Sequence, residues 1–341
     1  NVGRTARHHT FFEMLGNFSF GDYFKTDAIA FAWEFLVKEL ALDPQRMCIS
    51  VVAGAAEQKL GPDDEARELW RKVSGYGDDR IFGLGMKDNF WMMGDTGPQG
   101  PCSEIHYWLG DQAADLSRFG DEPLADGSGW VEIWNLVFMQ FERPTKDAPL
   151  RPLPRPSIDT GAGLERVTAV AMGQRSNYDT DLFIPLLETV ASACGRAYRR
   201  TDSDDDVGMR VLADHSRAEA NLIADGVLAS NLSRGYVLRS IMRRAIRFAV
   251  RLGLPAGFFA KLCHQVTDML GDIYPELRKA QRLIEKAVNA EDEGFRSTID
   301  RGLRLISESA MSASTSGSKL LPGKVAFQLH DTYGFPLDLT Q

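Results

Sequence analysis

Ser157-Ile158-Asp159-Thr160-Gly161-Ala162-Gly163-Leu164-Glu165-Arg166-Val167 is the stretch on which the reading of this 341-residue chain turns. It follows Arg151-Pro152-Leu153-Pro154-Arg155-Pro156, whose prolines lack the amide hydrogen that a central strand needs, which excludes the run from the middle of a sheet. Ser157-Ile158 then reads as a short strand or turn. Asp159 or Thr160 reads as the cap of a helix with Leu164, Val167, Val170 and Ala171 on its inner face. Gly161 and Gly163 remove side chains where that helix would begin, so another group can approach the backbone closely. The free amides there favour an anion. Arg166, one turn in, offers a planar cation to a phosphate or a stacked base, and Asp159 offers a carboxylate to an ammonium. The plainer alternative is a capped helix with a surface arginine.

Outward from this stretch, composition narrows the class. Hydrophobic residues make up 44% and charged residues 25%, the balance of a globular protein, and the length favours two domains. No apolar run approaches the ~18–20 residues that span a bilayer, and no secretory leader is read, so no membrane partner is expected. Cys48, Cys102, Cys194 and Cys263 lie far apart, without the paired spacing of a zinc site or a disulfide framework. No metal site is read from the residues, and a reducing, cytoplasmic setting fits. The net charge of −8 argues against a generally basic nucleic-acid binder, although charge can be concentrated locally. The start at Asn1 and the stop at Gln341 suggest a piece of something longer.

Upstream, Arg7 to Met14 reads as a strand with Arg7, His9, Phe11 and Glu13 on one face, because strand side chains alternate. Such a row could hold a nucleotide by stacking and hydrogen bonds, or simply be the polar face of an edge strand. Helices are expected from Asp27 to about Leu40, burying Phe31, Phe35 and Leu36, and from Asp63 to Val73, with a strand between them at Met47 to Val52. The Gly/Pro loop Gly94-Asp95-Thr96-Gly97-Pro98-Gln99-Gly100-Pro101 leads into a strand from Glu104 to Leu109. It is neither GxGxxG nor a P-loop. Trp91 beside it could wall a pocket or sit in the core. Trp130 to Phe141 is the best strand, apolar on both faces and therefore central. Asn135 in its middle must bond something, since an unpaired buried amide costs on the order of 1–3 kcal/mol, and Glu132 poses the same question.

Downstream, Asn177 to Asp181 opens a helix to about Ala193, and the acidic run Asp202 to Asp206 reads as a solvated loop. From Met209 the pattern is almost wholly helical. Arg234 to Arg251 breaks the acidic balance: Arg239, Arg243, Arg247 and Arg251 recur every four residues opposite Leu238, Ile241, Met242, Ala245 and Ala249. That ladder matches a phosphate backbone, or pairs with the acidic first domain or with Glu291-Asp292-Glu293. Tyr274 to about Ser309 reads as a long helix, Met311 to Ser318 as a Ser-rich linker, and Val325 to Asp331 as a last helix or strand.

Several runs, in order along nearly the whole chain, resemble the alanyl-tRNA synthetase family of class II aminoacyl-tRNA synthetases. They are Arg7-His8-His9-Thr10-Phe11-Phe12-Glu13-Met14-Leu15-Gly16-Asn17-Phe18-Ser19-Phe20-Gly21-Asp22-Tyr23-Phe24-Lys25, Gly94-Asp95-Thr96-Gly97-Pro98, Glu132-Ile133-Trp134-Asn135, Asp159-Thr160-Gly161, Gly163-Leu164-Glu165-Arg166, Arg234-Gly235-Tyr236-Val237-Leu238-Arg239 and Asp331-Thr332-Tyr333-Gly334-Phe335-Pro336. The resemblance implies an α+β fold: an antiparallel class II sheet flanked by helices over residues 1–198, then an all-helical tRNA-recognition domain over 199–341. It implies ATP-dependent activation of alanine, with magnesium, and transfer to tRNA(Ala). By resemblance His9, Trp91, Ile133, Trp134, Asn135, Gly163 and Arg166 are the ATP and adenylate pocket, with Arg166 the catalytic arginine. Asn135 and Asp159 meet alanine, and Asn231, Asp331, Arg239, Arg243 and Arg247 meet the acceptor stem.

The chain departs from the family pattern. Motif 1, the first strand of motif 2, the editing domain and the C-terminal region are expected outside these residues, and with them any oligomer contact. Gln99, Ala162 and Ser240 stand where cysteine, methionine and arginine are usual. The chain alone is therefore expected not to activate alanine. A shortened relative that binds tRNA or a protein without catalysis is the alternative, and an ATP-dependent ligase of another acid is a third.

Overall fold

The computed structural model describes residues 1–58, 60–119, 129–315, 322–327 and 329. The chain divides into two compact units: one of Thr5–Arg7 and Phe12–Leu182, the other of Asn1–Arg4, His8–Phe11 and Phe183–Gln341.

The first unit is built on an eight-stranded sheet. Its strands are β1 (Met14–Leu15), β2 (Phe18–Ser19), β3 (Met47–Val52), β4 (Ile81–Leu84), β5 (Phe90–Met92), β6 (Gly97–Trp108), β7 (Trp130–Arg143) and β8 (Arg151–Gly163). The order is β1-β8-β7-β6-β3-β4, with β2 also on β8 and β5 also on β6. All pairs are antiparallel except β3 with β4. Helices α1 (Lys25–Glu34) and α2 (Asp64–Ser74) accompany it, with the short α3 (Met86–Asn89) and α4 (Leu164–Ala171). Alternation sorts the strand residues onto two faces. Ile49, Val51, Ile105, Leu136, Phe138, Ile158 and Ala162 join Ala28, Ile29, Ala32 and Leu36 of the α1 region and Trp70 of α2 in one buried cluster. A smaller cluster, Cys48, Trp108, Phe119 and Trp130, lies on the other face.

The two helices are tied by an ion pair rather than by apolar contact alone. Lys25 is buried at the start of α1, 2.7 Å from Asp63 and 2.9 Å from Glu65. Asp63 also caps α2, accepting from the Ala66 amide at 3.1 Å, so the acid that opens one helix holds the cation that opens the other.

Several sequence expectations change here. The proline run does enter the sheet, but as the margin of β8: Arg151 and Pro152 pair only with Glu142 and Phe141 of β7, and β1 and β2 flank β8 only from Ile158 onward. Prolines therefore occupy the half of the strand with a single partner. Asp159 and Thr160 are strand residues, not caps; β8 continues to Gly163, which itself precedes α4 without a side-chain cap. Arg7 to Glu13 is not a strand, because its amides go to side chains: Thr10 N to Asp214 and Glu13 N to both oxygens of buried Glu165. Phe31 is 48% exposed rather than buried, whereas Leu36 is fully buried.

The second unit is helical: α5 (Ile184–Cys194), α6 (Asp204–Ala224), α7 (Ser233–Arg251), α8 (Phe258–Leu270), α9 (Pro275–Thr315) and α10 (Gly323–Phe327). Asn177–Asp179 forms only a short 3₁₀ turn, and α5, assigned from sequence to the first domain, packs with α6 and α8. The acidic run is not a loop: Asp204, Asp205 and Asp206 fill the first turn of α6 behind the Ser203 cap, where the helix dipole favours them. The expected linker begins as helix, since α9 runs to Thr315; its remainder falls outside the described residues, as do positions 328, 330 and 331 of the element expected from Val325 to Asp331, whose start lies in α10. No helix among the described residues is long and apolar enough to cross a membrane.

Inside this unit Glu219 of α6 is fully buried, and neither carboxylate oxygen has a hydrogen-bond partner among the described residues. Burial, then the nearby Glu291 and Asp292, push its carboxyl well above the usual range. A raised folded pKa means stability that is complete below about pH 4.3 and lost as pH rises toward the folded value. Glu219→Met is expected to stabilise the chain by about 1–3 kcal/mol at neutral pH, the gain shrinking toward pH 4. Denaturant midpoints at both pH values check this; a destabilised variant at neutral pH would contradict it.

Candidate active site

The face of the sheet opposite α1 and α2 carries the polar residues. Register places Ser50 of β3 beside Glu104 of β6, Glu104 beside Asn135 of β7, and Asn135 beside Gly161 of β8. Four strands thus contribute one transverse row, since directly paired residues project to the same face. Asp159 pairs with Val137 and shares that face two residues before Gly161. By sheet geometry Asp159 and Asn135 are diagonal neighbours, about 7–8 Å apart at the backbone, a span that a small amino acid can bridge. Gly161 leaves the position beside Asn135 without a side chain; a Cβ there would lie 2.7 Å from the Met14 sulfur.

The row is bonded end to end. Asn135 Nδ2 donates to Glu104 Oε1 at 3.1 Å, while Glu104 Oε2 faces His106 Nε2 at 3.2 Å and Ser50 Oγ at 3.5 Å. Asn89 Nδ2 donates to Ser50 Oγ at 2.9 Å. Burial pushes the Glu104 carboxyl above its ordinary value, against the pull of the His106 hydrogen bond. Asn135 Oδ1 is buried and has no donor among the described residues.

Arg166 of α4 reaches back to β7. Its guanidinium donates to the Glu132 carbonyl at 2.9 Å and to Glu132 Oε2 at 3.1 Å, both side chains being 26% exposed. Glu132 is therefore answered by Arg166, and one edge of the cation is left toward solvent. Gly163 sits at the end of β8 just before α4. Trp91 is half-buried opposite Gly100 on β6.

The structure does not gather every residue nominated from sequence. Asn135, Asp159 and Gly161 share one face, with Glu132 holding Arg166. Ile133 and Trp134 are buried in the cluster on the opposite face, because an irregularity in the β6–β7 register puts both inward; Trp134 meets Phe35 edge-on at 5.8 Å. A cavity of about 410 Å³ near Trp134, lined also by Gly16, Asn17, Phe31 and Glu34, is on that side.

His9 belongs to the helical unit. Its ring stacks on Phe183 with centroids 4.8 Å apart, and its Nδ1 lies 3.1 Å from Asp214 Oδ1. The other Asp214 oxygen meets His215 Nδ1 at 2.9 Å, and Arg244 approaches His215 Nε2 at 3.1 Å. A guanidinium can only donate, so His215 Nε2 accepts and Nδ1 carries the hydrogen donated to Asp214. Burial, with Arg244 beside it, holds the His215 pKa below its ordinary value despite Asp214.

Also in the helical unit, Asn231 accepts a hydrogen bond from Arg239. Glu291 takes Arg239 at 3.3 Å and Arg243 at 2.7 Å, Arg251 pairs with Asp204, and Arg247 lies over the Phe248 ring. Two arginines of the stripe are thus held by the acid of α9 that the sequence offered as one alternative partner. Asp331 lies outside the described residues.

Sequence reading missed Glu104 and Asp214. Glu104 could have been found by the argument applied to Asn135, since a carboxylate inside a strand also needs a partner. Asp214 had no such signal, because its partners His9 and Thr10 are far away in sequence.

Comparison with known proteins places the chain in a family. The profile of the tRNA synthetases class II (A) matches residues 1–341. Among the similar proteins is an alanine–tRNA ligase of Sorangium cellulosum (strain So ce56), 54% identical over 341 residues, covering all of this chain and 37% of the relative. One of Myxococcus xanthus (strain DK1622) is 54% identical over 346 residues, covering all of the chain and 38% of the relative. One of Dinoroseobacter shibae (strain DSM 16493 / NCIMB 14021 / DFL 12) is 52% identical over 342 residues, with 100% and 37% covered. The chain spans less than half the length of these relatives. With the profile matched from the first residue to the last, on a mixed α+β fold whose sheet carries the Asn135–Asp159 face, the chain belongs to the class II (A) tRNA synthetase family.

Proposed function

We propose that this chain carries the amino-acid activation site and part of the tRNA-binding surface of an alanine–tRNA ligase acting in the cytoplasm. The observation that supports it most is the polar face on which Asp159 and the donor-less Oδ1 of Asn135 lie two strand positions apart. An α-ammonium has three donors and one positive charge; a carboxylate and an amide oxygen supply what it needs. The alanine carboxylate attacks the α-phosphorus of ATP, forming the acyl–phosphate bond as the bond to pyrophosphate breaks. Such a reaction depends on positioning and charge neutralisation more than on a covalent catalyst. Arg166, braced by Glu132, is the cation for the phosphate. Trp91 and Gly163 would border the nucleotide, and Ile133 and Trp134 would shape the pocket from beneath through the β7 backbone.

Magnesium neutralises phosphate charge when bound. Among the described residues no group of three or more His, Cys, Asp or Glu is arranged to hold a metal. The ion would come with the nucleotide's phosphates, as magnesium commonly does, with Glu132, which braces Arg166, the carboxylate that would hold it there. The acceptor stem of tRNA(Ala) would lie along α7, read by Asn231 and Asp331, with Arg239, Arg243 and Arg247 on its phosphates. Arg239 and Arg243 would exchange Glu291 for phosphate, which makes binding sensitive to salt.

The test is which amino acid drives AMP formation and pyrophosphate exchange in the full-length protein. Alanine is expected to exceed every other amino acid except glycine by at least about tenfold; equal stimulation by a different amino or carboxylic acid would overturn the reading.

A further inference from the structure

Asn135 is an ambiguous ligand by itself. Its amide could offer either an oxygen or an NH₂ group to whatever lies above the sheet, and only the oxygen suits an ammonium. The structure contains the group that decides. Glu104 Oε1 faces the amide at 3.1 Å while His106 Nε2 and Ser50 Oγ meet Oε2; with any proton of the carboxyl held on that far side, Oε1 only accepts, so the nitrogen must turn toward Glu104 and the oxygen away from it. Glu104 is in turn fixed from the far side: His106 Nε2 and Ser50 Oγ meet its other oxygen, and Asn89 donates to that serine. Ser50, His106 and Asn89 are each buried. The outcome is a buried amide oxygen with no donor among the described residues, an arrangement that is unfavourable unless a donor arrives.

We propose that Glu104 is the positioning residue that sets which end of Asn135 the amino-acid substrate meets, and that the Asn89–Ser50–His106 cluster holds Glu104 in that orientation. Glu104 does not touch the substrate; it acts through Asn135. This rests on the reading that Asn135 meets the substrate ammonium, and it deepens that reading by explaining why an asparagine serves where either amide end could have faced the ligand.

The experiment uses the full-length protein and reads KM for alanine and for ATP separately in pyrophosphate exchange. Glu104→Met removes the acceptor and is expected to raise the alanine KM at least tenfold, with the ATP KM within about threefold. Glu104→Gln keeps a carbonyl oxygen that can accept from Asn135 and is expected to recover most of that loss. Because Glu104→Met could fail to fold, a second pair keeps the question decidable. Asn135→Asp sets two acceptors against each other and is expected to raise the alanine KM at least tenfold. Adding Glu104→Gln to it supplies a donor from the opposite side and is expected to recover most of the affinity. If Asn135→Ala leaves the alanine KM unchanged, the reading of Asn135 itself is wrong. If Asn135→Ala raises it while Glu104→Met does not, or the added Glu104→Gln recovers nothing, only the proposal about Glu104 is overturned.

Discussion

Asp214→Ala is expected to destabilise the helical unit by about 3–5 kcal/mol, the cost of removing one member of a buried charged network and leaving the rest unanswered. Asp214 is 1% exposed and is the common acceptor of the Thr10 amide at 3.0 and 3.2 Å, His9 Nδ1 at 3.1 Å and His215 Nδ1 at 2.9 Å. Beyond His215 stands Arg244, which also donates to the Val2 carbonyl at 2.8 Å. Without the carboxylate, segments 2, 8–11 and 244 lose the group on which they converge. Burial alone would raise the Asp214 pKa, but the hydrogen bonds from His215 and His9 outweigh it and hold the carboxyl far below the usual range. A depressed folded pKa gives stability that is present above the unfolded value, near 3.9, and lost as pH falls below it. The gap between wild type and Asp214→Asn, which removes the charge but keeps the shape, should therefore be full at pH 7 and narrow below about pH 4. Denaturant midpoints across that range check it; a gap that widens on acidification would contradict it.

Asp159→Ala should act on chemistry rather than on the fold. Asp159 lies at a half-buried strand position paired with Val137 and Phe18 through backbone only, so its loss leaves the ladder intact. On the proposed reading, what disappears is the counter-charge to the substrate ammonium, for which truncation of one partner costs about 3–5 kcal/mol when the pair is desolvated. That corresponds to a fall of about 10²–10⁴-fold in kcat/KM for alanine in the full-length protein. Thermal stability should remain within a few degrees of wild type. A loss below tenfold would remove Asp159 from the substrate contacts.

The legible and illegible parts of the sequence divide by the range of the interactions involved. Trp130 to Phe141 and Met47 to Val52 are strands because their own apolar, β-branched composition demands burial on both faces, and α2 begins where Asp63 caps it. Those signals are local. Asp-Thr-Gly before an amphipathic run predicts Asp159 or Thr160 as a helix cap. What keeps it extended is pairing with β7 on one side and β2 on the other, and neither partner is adjacent in sequence. Alternation from Arg7 to Met14 predicts a strand, but the amides of Thr10 and Glu13 are claimed by Asp214 and Glu165 instead of a neighbouring strand. The arginine stripe was plain from its period of four. That Glu291 already occupies two of its members depended on how α9 packs against α7. The site shows the same division: Asn135 and Glu132 could be flagged as polar groups in an apolar strand, whereas Glu104 becomes meaningful only once the register puts it beside Asn135.

The most direct measurement is a crystal structure of the protein with a non-hydrolysable alanyl-adenylate analogue. The account predicts the analogue's ammonium between the Asp159 carboxylate and Asn135 Oδ1, within hydrogen-bonding distance of both, with Asn135 Nδ2 still on Glu104 and the phosphate mimic beside Arg166. An ammonium held by other groups, with Asn135 Oδ1 still lacking a donor, would contradict it.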